Sequence, residues 1–155
     1  MAAVRDKLFP AADWITPNIP EAEFICGRKL TSPADLAEAA GMLHRQYRCH
    51  VILKSGHAIA SDRVSDIVCY QGEIFTLTSP AAKVAGHTAH GTGCTLSAAL
   101  AANFALGRTW REALTAAKAF VYGSLCECVR LSGTLVQMYP PEQDPSGRIV
   151  LEKYR

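Results

Sequence analysis

What this chain lacks narrows its possibilities. No Cys-x-x-Cys occurs among its six cysteines, Cys26, Cys49, Cys69, Cys94, Cys126 and Cys128, so the paired spacing of a zinc ribbon or a dithiol redox centre is missing. Cys126-Glu127-Cys128 falls in a stretch that reads as helix, where the two thiols project in different directions. No uncharged apolar run is long enough to span a bilayer and no leader is legible, which leaves export and membrane insertion unsupported. Basic residues never run beyond two, and 16 of them against 14 acidic ones leave a formal charge of +2. That balance disfavours nucleic acid as the main partner, whereas a nucleotide needs only a local positive pocket. Internal repeats and low-complexity tracts are also missing. Unpaired thiols are most simply accommodated by a reducing cytoplasm.

What is present is enough for one folded domain. A chain of 155 residues can bury about 70% of its unfolded surface. Hydrophobic residues at 49% against charged ones at 19% argue for a packed core rather than disorder.

Punctuation along the chain predicts an alternation of strands and helices. Ala2 to Phe9 reads as the end of a helix stopped by Pro10, and Asp13 to Thr16 as a short strand. Asn18, with Glu21 three residues on, caps a helix that Gly27 closes. Ser32 and Pro33 open the next helix, whose Leu36, Ala39, Ala40, Leu43 and Tyr47 share one face. Val51-Ile52-Leu53 has the continuous apolar character of a buried strand. The runs Asp66–Tyr70 and Glu73–Leu77 flank Gln71-Gly72 as a hairpin. A helix from Cys94 to about Leu106 ends at Gly107, and Thr109 to Glu112 opens another that the pattern carries to roughly Leu131. Residues 136–155 read as a loosely ordered tail. The sum is an α/β layer fold with a mixed sheet.

The most specific stretch is His90-Gly91-Thr92-Gly93-Cys94-Thr95, followed by an Ala-rich apolar run. A Gly-Thr-Gly turn opening a helix points successive N–H groups outward at the positive end of the helix dipole, which is how proteins hold phosphate. A thiol at that position sits where the same field favours thiolate. Gly91, Thr92 and Gly93 are therefore candidates for an anion hole, and Cys94 for a catalytic residue. A bare Gly-x-Gly is more often a tight turn, with a cysteine beside it simply a small buried residue. His90 belongs to the motif, though a structural role in the turn suits it at least as well.

Two other segments invite chemistry. Thr16 to Glu23 is ordinary helix-start chemistry by itself, with Asn18 as the cap and Glu21 at the third helical position. Lys54-Ser55-Gly56-His57 follows the buried strand, where ligands commonly meet strand ends. A lysine there can neutralise charge on a transferred phosphoryl group, although a surface lysine ending a strand is the commoner case.

These three strings together carry a resemblance. His90 to Leu100 resembles the helix-opening motif of the hydroxymethylpyrimidine and phosphomethylpyrimidine kinases of thiamine biosynthesis. These belong to the ribokinase-like superfamily, as do the pyridoxal kinases. Thr16 to Glu23 resembles their Thr-Pro-Asn-x-x-Glu-Ala-Glu segment, and Lys54 to His57 their Lys-Gly-Gly-His, with Ser55 replacing the first glycine. The resemblance implies a three-layer ribokinase-like fold, with a mixed sheet and flanking helices. It also implies ATP and magnesium as cofactors. Asn18 and Glu21 would then organise the metal and its waters, and Lys54 and Gly56 would bind the nucleotide. Cys94 takes the position where the wider superfamily uses an aspartate base.

Nothing here matches the family's glycine-rich first loop or its Asp-Pro-Val-Met segment. The resemblance thus assigns residues 1–135 to the nucleotide-side, C-terminal part of such a kinase, reading as truncated at its N-terminus. That departure puts full activity of the chain alone in doubt. It also leaves the Trp14–Thr16 strand as an open edge, prone to pairing with a second copy or another chain. The implied reaction is ATP-dependent phosphorylation of hydroxymethylpyrimidine and its monophosphate. A pyridoxal-type kinase is the enzymatic alternative, and a catalytically silent, nucleotide-binding or partner-dependent remnant is the alternative from another class.

Overall fold

The computed structural model describes residues 3–56, 62–82, 88–89, 91–132 and 135–154, and of residues 88, 89, 130–132 and 135 only the backbone. Its elements are β1 (Trp14–Ile15), α1 (Ile19–Cys26), α2 (Pro33–Tyr47), β2 (His50–Leu53), β3 (Arg63–Tyr70), β4 (Glu73–Pro80), β5 (Thr88–Ala89), α3 (Thr92–Ala105), α4 (Trp110–Cys126), β6 (Val129–Ser132), β7 (Leu135–Gln137) and β8 (Val150–Lys153). A five-stranded sheet has the order β1-β2-β3-β4-β8, and a smaller one the order β5-β7-β6. Parallel β1–β2 and antiparallel β2–β3 pairing make the larger sheet mixed, in agreement with the sequence. No helix among the described residues is long and apolar enough to cross a membrane.

The chain divides into two compact units. The first holds β1, α1, α2, β2, residues 65–76 of β3 and β4, and the end of β8. Its helices start where the sequence places them. Asn18 and Ser32 accept the N–H groups of Glu21 and Asp35, and each acidic side chain accepts its cap's N–H in return. Gly27 closes α1 with φ at +68°, a conformation that glycine adopts without steric cost. The apolar face of α2 buries Leu36, Ala39, Ala40, Leu43 and Tyr47 in one cluster with Val51, Leu53, Ile67 and Cys69. Ile52 and Val68 point to the opposite face and are fully buried as well. Burial on both faces explains the unbroken apolar run of β2, and each such side chain contributes about 1.5–3 kcal/mol.

The β3–β4 hairpin turns on Gln71 and Gly72, both with positive φ (51° and 82°), the pattern of a type I′ turn. Beside it Trp14, His50 and Tyr70 form an aromatic row across β1, β2 and β3. The His50 ring lies 4.9 Å from Trp14 and 4.4 Å from Tyr70.

The second unit contains α3, α4, the smaller sheet and the chain as far as Leu151. Thr109 and Glu112 form the capping box read from the sequence. The end of α4, however, comes at Cys126 rather than near Leu131. Residues 129–132 form β6, held by pairing with β7 at Val129↔Gln137 and Arg130↔Val136. Cys126 is consequently the last helical residue and Cys128 stands outside the helix, so the two thiols do not share a helix as the sequence suggested.

The segment read as a loosely ordered tail is structured. The backbone N–H of Glu142 donates to the Glu127 carboxylate, and Arg148 donates to the Tyr122 hydroxyl at 3.2 Å. Strand β8 then joins the larger sheet beside β4. In the first unit, the Tyr154 N–H donates to Ile74 O at 2.9 Å, and Lys153 Nζ lies 2.6 Å from Glu73.

Candidate functional site

Parallel strands β1 and β2 end side by side, and that end collects four of the residues singled out in the sequence. Asn18 follows β1 and pairs with Lys54, which follows β2, in an isolated parallel bridge. The Lys54 N–H donates to Pro17 O at 2.8 Å, tying the two strand ends together. Asn18 Oδ1 accepts the Glu21 N–H and Glu21 Oε2 accepts the Asn18 N–H, both at 2.8 Å. Gly56 completes the group two residues after Lys54. Its φ of +60° favours glycine, and Ser55 is outside the positive-φ set. The replacement of the family's first glycine by Ser55 therefore leaves the backbone of this turn unstrained, because the glycine that the turn needs is still there.

The donors present fit a magnesium ion only in one manner. Glu21 keeps one carboxylate oxygen outside its cap bond, and Asn18 Oδ1 keeps a lone pair beyond the one it uses. Among the described residues no group of three or more His, Cys, Asp or Glu side chains converges on a metal position. One exposed carboxylate and one amide suit a metal that retains most of its water and takes its other ligands from phosphate.

The second unit carries the Gly91–Cys94 turn. Gly91 is the N-cap of α3, with φ at +86°, and no side chain caps this helix. The other three α-helices among the described residues each close their first turn with a capping box. Among the described residues, no side chain accepts the N–H groups of Thr92, Gly93 and Cys94, which stand at the positive end of 14 helical residues. Cys94 occupies the third helical position and is an exposed free thiol. Burial separates it from Cys49 and Cys69, which are 1% and 0% exposed and whose thiols burial pushes up. His57, His87 and His90 lie outside the described residues.

Sequence reading overlooked one residue at the strand ends. Asp66 on β3 is 3% exposed, and its Oδ1 accepts the Ser55 N–H at 3.0 Å. The only available signal was a carboxylate opening the apolar run Ile67-Val68-Cys69, since a buried charge has to find partners.

Comparison with known proteins identifies the family. The phosphomethylpyrimidine kinase family model matches residues 1–137. The hydroxymethylpyrimidine/phosphomethylpyrimidine kinase of Haemophilus influenzae is 40% identical over 128 residues, covering 81% of this chain and 47% of that protein. The thiamine biosynthesis bifunctional protein ThiED of Geobacter sulfurreducens is 36% identical over 126 residues, covering 81% of this chain and 25% of its own length. Among solved structures, pyridoxal kinase from Staphylococcus aureus in complex with AMP-PCP and pyridoxal superposes with a TM-score of 0.83 at 28% identity. That match covers 98% of this chain and 57% of the kinase. The chain thus spans less than half the length of these two curated relatives, and its fold is the ribokinase-like α/β fold. With a family model running through both the Asn18–Lys54 corner and the α3 turn, the chain belongs to the phosphomethylpyrimidine kinase family.

Proposed function

We propose that this chain carries the nucleotide-side machinery of an ATP-dependent kinase for hydroxymethylpyrimidine and its monophosphate. The observation that carries the reading is the open start of α3, where, among the described residues, a glycine N-cap leaves backbone donors uncapped while the other α-helices close their own. Gly91, Thr92 and Gly93 form an anion hole for the moving phosphoryl group, a set of fixed donors matched to charge that develops during transfer. Lys54 adds positive charge, and Gly56 lets the backbone approach the nucleotide phosphates. Asn18 and Glu21 hold the water shell of a magnesium ion. When bound, that ion supplies neutralising charge to the phosphate oxygens.

In the reaction, the acceptor hydroxyl oxygen bonds to the γ-phosphorus as the bond to the β–γ bridging oxygen breaks, and ADP leaves. The Cys94 sulfur takes up the hydroxyl proton or orients the hydroxyl for attack. The six cysteines, without a disulfide-type spacing, suit a reducing cytoplasm.

Pyridoxal is the second acceptor, favoured by the near-complete superposition on a kinase bound to AMP-PCP and pyridoxal. The short span relative to the curated relatives favours a partner-dependent or silent nucleotide-binding form. Strand β1, at one edge of the larger sheet, is the place where a second copy or another chain would add.

The test is ATP-dependent phosphorylation of hydroxymethylpyrimidine, its monophosphate and pyridoxal by the purified chain, with Cys94→Ala and the native mass measured in parallel. Turnover that falls at least about a hundredfold in the variant while ADP affinity holds supports the catalytic reading. Equal loss of turnover and binding makes Cys94 structural. ADP binding without transfer to any acceptor identifies the silent form.

A further inference from the structure

We infer that Asp66 is a positioning residue for the nucleotide, acting through the Lys54–Gly56 turn, an inference that rests on the nucleotide reading above. The antiparallel ladder between β2 and β3 ends at Leu53↔Ile67. One residue further, the two sides of the turn are held differently. On the β1 side, the Lys54 N–H continues the backbone pattern by donating to Pro17 O at 2.8 Å. On the β3 side a side chain replaces the ladder, and Asp66 Oδ1 takes the Ser55 N–H at 3.0 Å.

The turn is thereby peeled away from β3 and pinned at two points one residue apart. Lys54 leaves the backbone at the first pin, and Gly56, with its positive φ, follows the second directly. Asp66 is only 3% exposed, so its carboxylate acts as an interior anchor that holds the backbone of the turn through the Ser55 N–H. A charged acceptor on a backbone N–H makes a stronger bond than a neutral one, which suits an anchor for an otherwise irregular segment. The bond uses the backbone of residue 55, so the side chain there is free to vary between serine and glycine.

The experiment compares the wild-type chain with Asp66→Ala and Asp66→Asn, by calorimetric ADP affinity and by hydrogen exchange at the Ser55 amide. Asp66→Ala should weaken ADP binding about tenfold and expose the Ser55 amide, because a part-buried donor loses its partner. Asp66→Asn, whose amide oxygen can accept the same bond, should remain within about threefold of wild type with Ser55 still protected.

Wild-type affinity in Asp66→Ala overturns the inference. So does an Asn variant that protects Ser55 yet binds ADP as weakly as the Ala variant, since charge and not placement would then be responsible. If Asp66→Ala fails to fold, the Asn variant decides alone by these two readouts. Failure of the kinase reading is seen separately, in a wild-type chain that binds no ADP, and the inference falls with it.

Discussion

Gly123 of α4 lies directly beneath Pro141: a β-carbon on this glycine would stand 2.7 Å from the proline Cβ and 3.2 Å from Pro145 Cγ. The two prolines belong to the segment that follows β7. That segment is fastened to α4 by the Tyr139 N–H donating to Ser124 O, and to its end by the Glu142 N–H donating to Glu127. The missing side chain at position 123 is what allows the segment to seat on the helix.

Two effects compete in Gly123→Ala. Helix propensity alone predicts a gain of about 1 kcal/mol. The contact with Pro141 is shorter than real β-carbons show and involves a rigid ring, and overpacking of this kind costs about 1–3 kcal/mol. The contact should win, so urea denaturation is expected to show a net loss of about 1 kcal/mol. A stabilised variant would mean that residues 139–145 are not seated on α4.

The aromatic row in the first unit predicts a pH dependence. Burial pulls the His50 ring below its ordinary value and the neighbouring His44 adds to the effect, against a smaller opposing pull from Asp13. His44 donates from Nδ1 to Cys49 O at 2.7 Å and stacks on His50 at 5.9 Å. His50 Nδ1 in turn accepts the Gln71 N–H at 3.4 Å, a bond available only to the unprotonated nitrogen. The folded chain therefore favours neutral His50. Its contribution to stability is complete above the unfolded value, near 6.5, and is lost as the pH falls through the lower folded value. Thermal unfolding between pH 8 and 5 should show a falling Tm in wild type and a flatter profile in His50→Phe, which keeps a ring beside Trp14 and Tyr70. An equal slope in both would remove His50 from the account. Asp35 belongs to a different window. Its carboxylate is held low by the Thr31 N–H, the Ser32 hydroxyl and Arg28, and its contribution is lost only in stronger acid.

Which features could be read from sequence follows from how far apart the deciding residues stand. Asn18, Ser32 and Thr109 announce helix starts because each satisfies an N–H three residues away, and Gly27 ends a helix by its own conformation. The burial of Leu36, Ala39, Ala40, Leu43 and Tyr47 was legible for the same reason, as one face of one helix. The end of α4 was not. Nothing between Cys126 and Leu131 forbids a helix, and Val129 is drawn into β6 by pairing with Gln137 on β7. Strand β8 was further out of reach, because its Lys153 meets Glu73 from 80 residues away. At the candidate site, the glycines and Asn18 could be found by local pattern, whereas Asp66 gains its place only when β3 folds alongside β2.

The two ends of α3 offer an internal comparison for the proposed anion hole. Gly91 begins the helix with φ at +86°, and Gly107 follows its end with φ at +77°. Among the described residues, a β-carbon on Gly107 meets nothing within 4 Å, and one on Gly91 only Met138 Cε at 3.9 Å. Alanine at either position therefore suffers backbone strain rather than a clash, about 1–2 kcal/mol in each case. Similar losses of stability are expected for Gly91→Ala and Gly107→Ala. Nucleotide affinity should divide them. A shift at Gly91 turns the Thr92, Gly93 and Cys94 N–H groups away from their common direction, and about a tenfold loss of ADP affinity corresponds to one weakened charge-assisted hydrogen bond. At Gly107 the strain falls at the opposite end of the helix and leaves those donors alone. Equal ADP affinity in both variants, at equal stability, would remove the start of α3 from the phosphate-binding machinery.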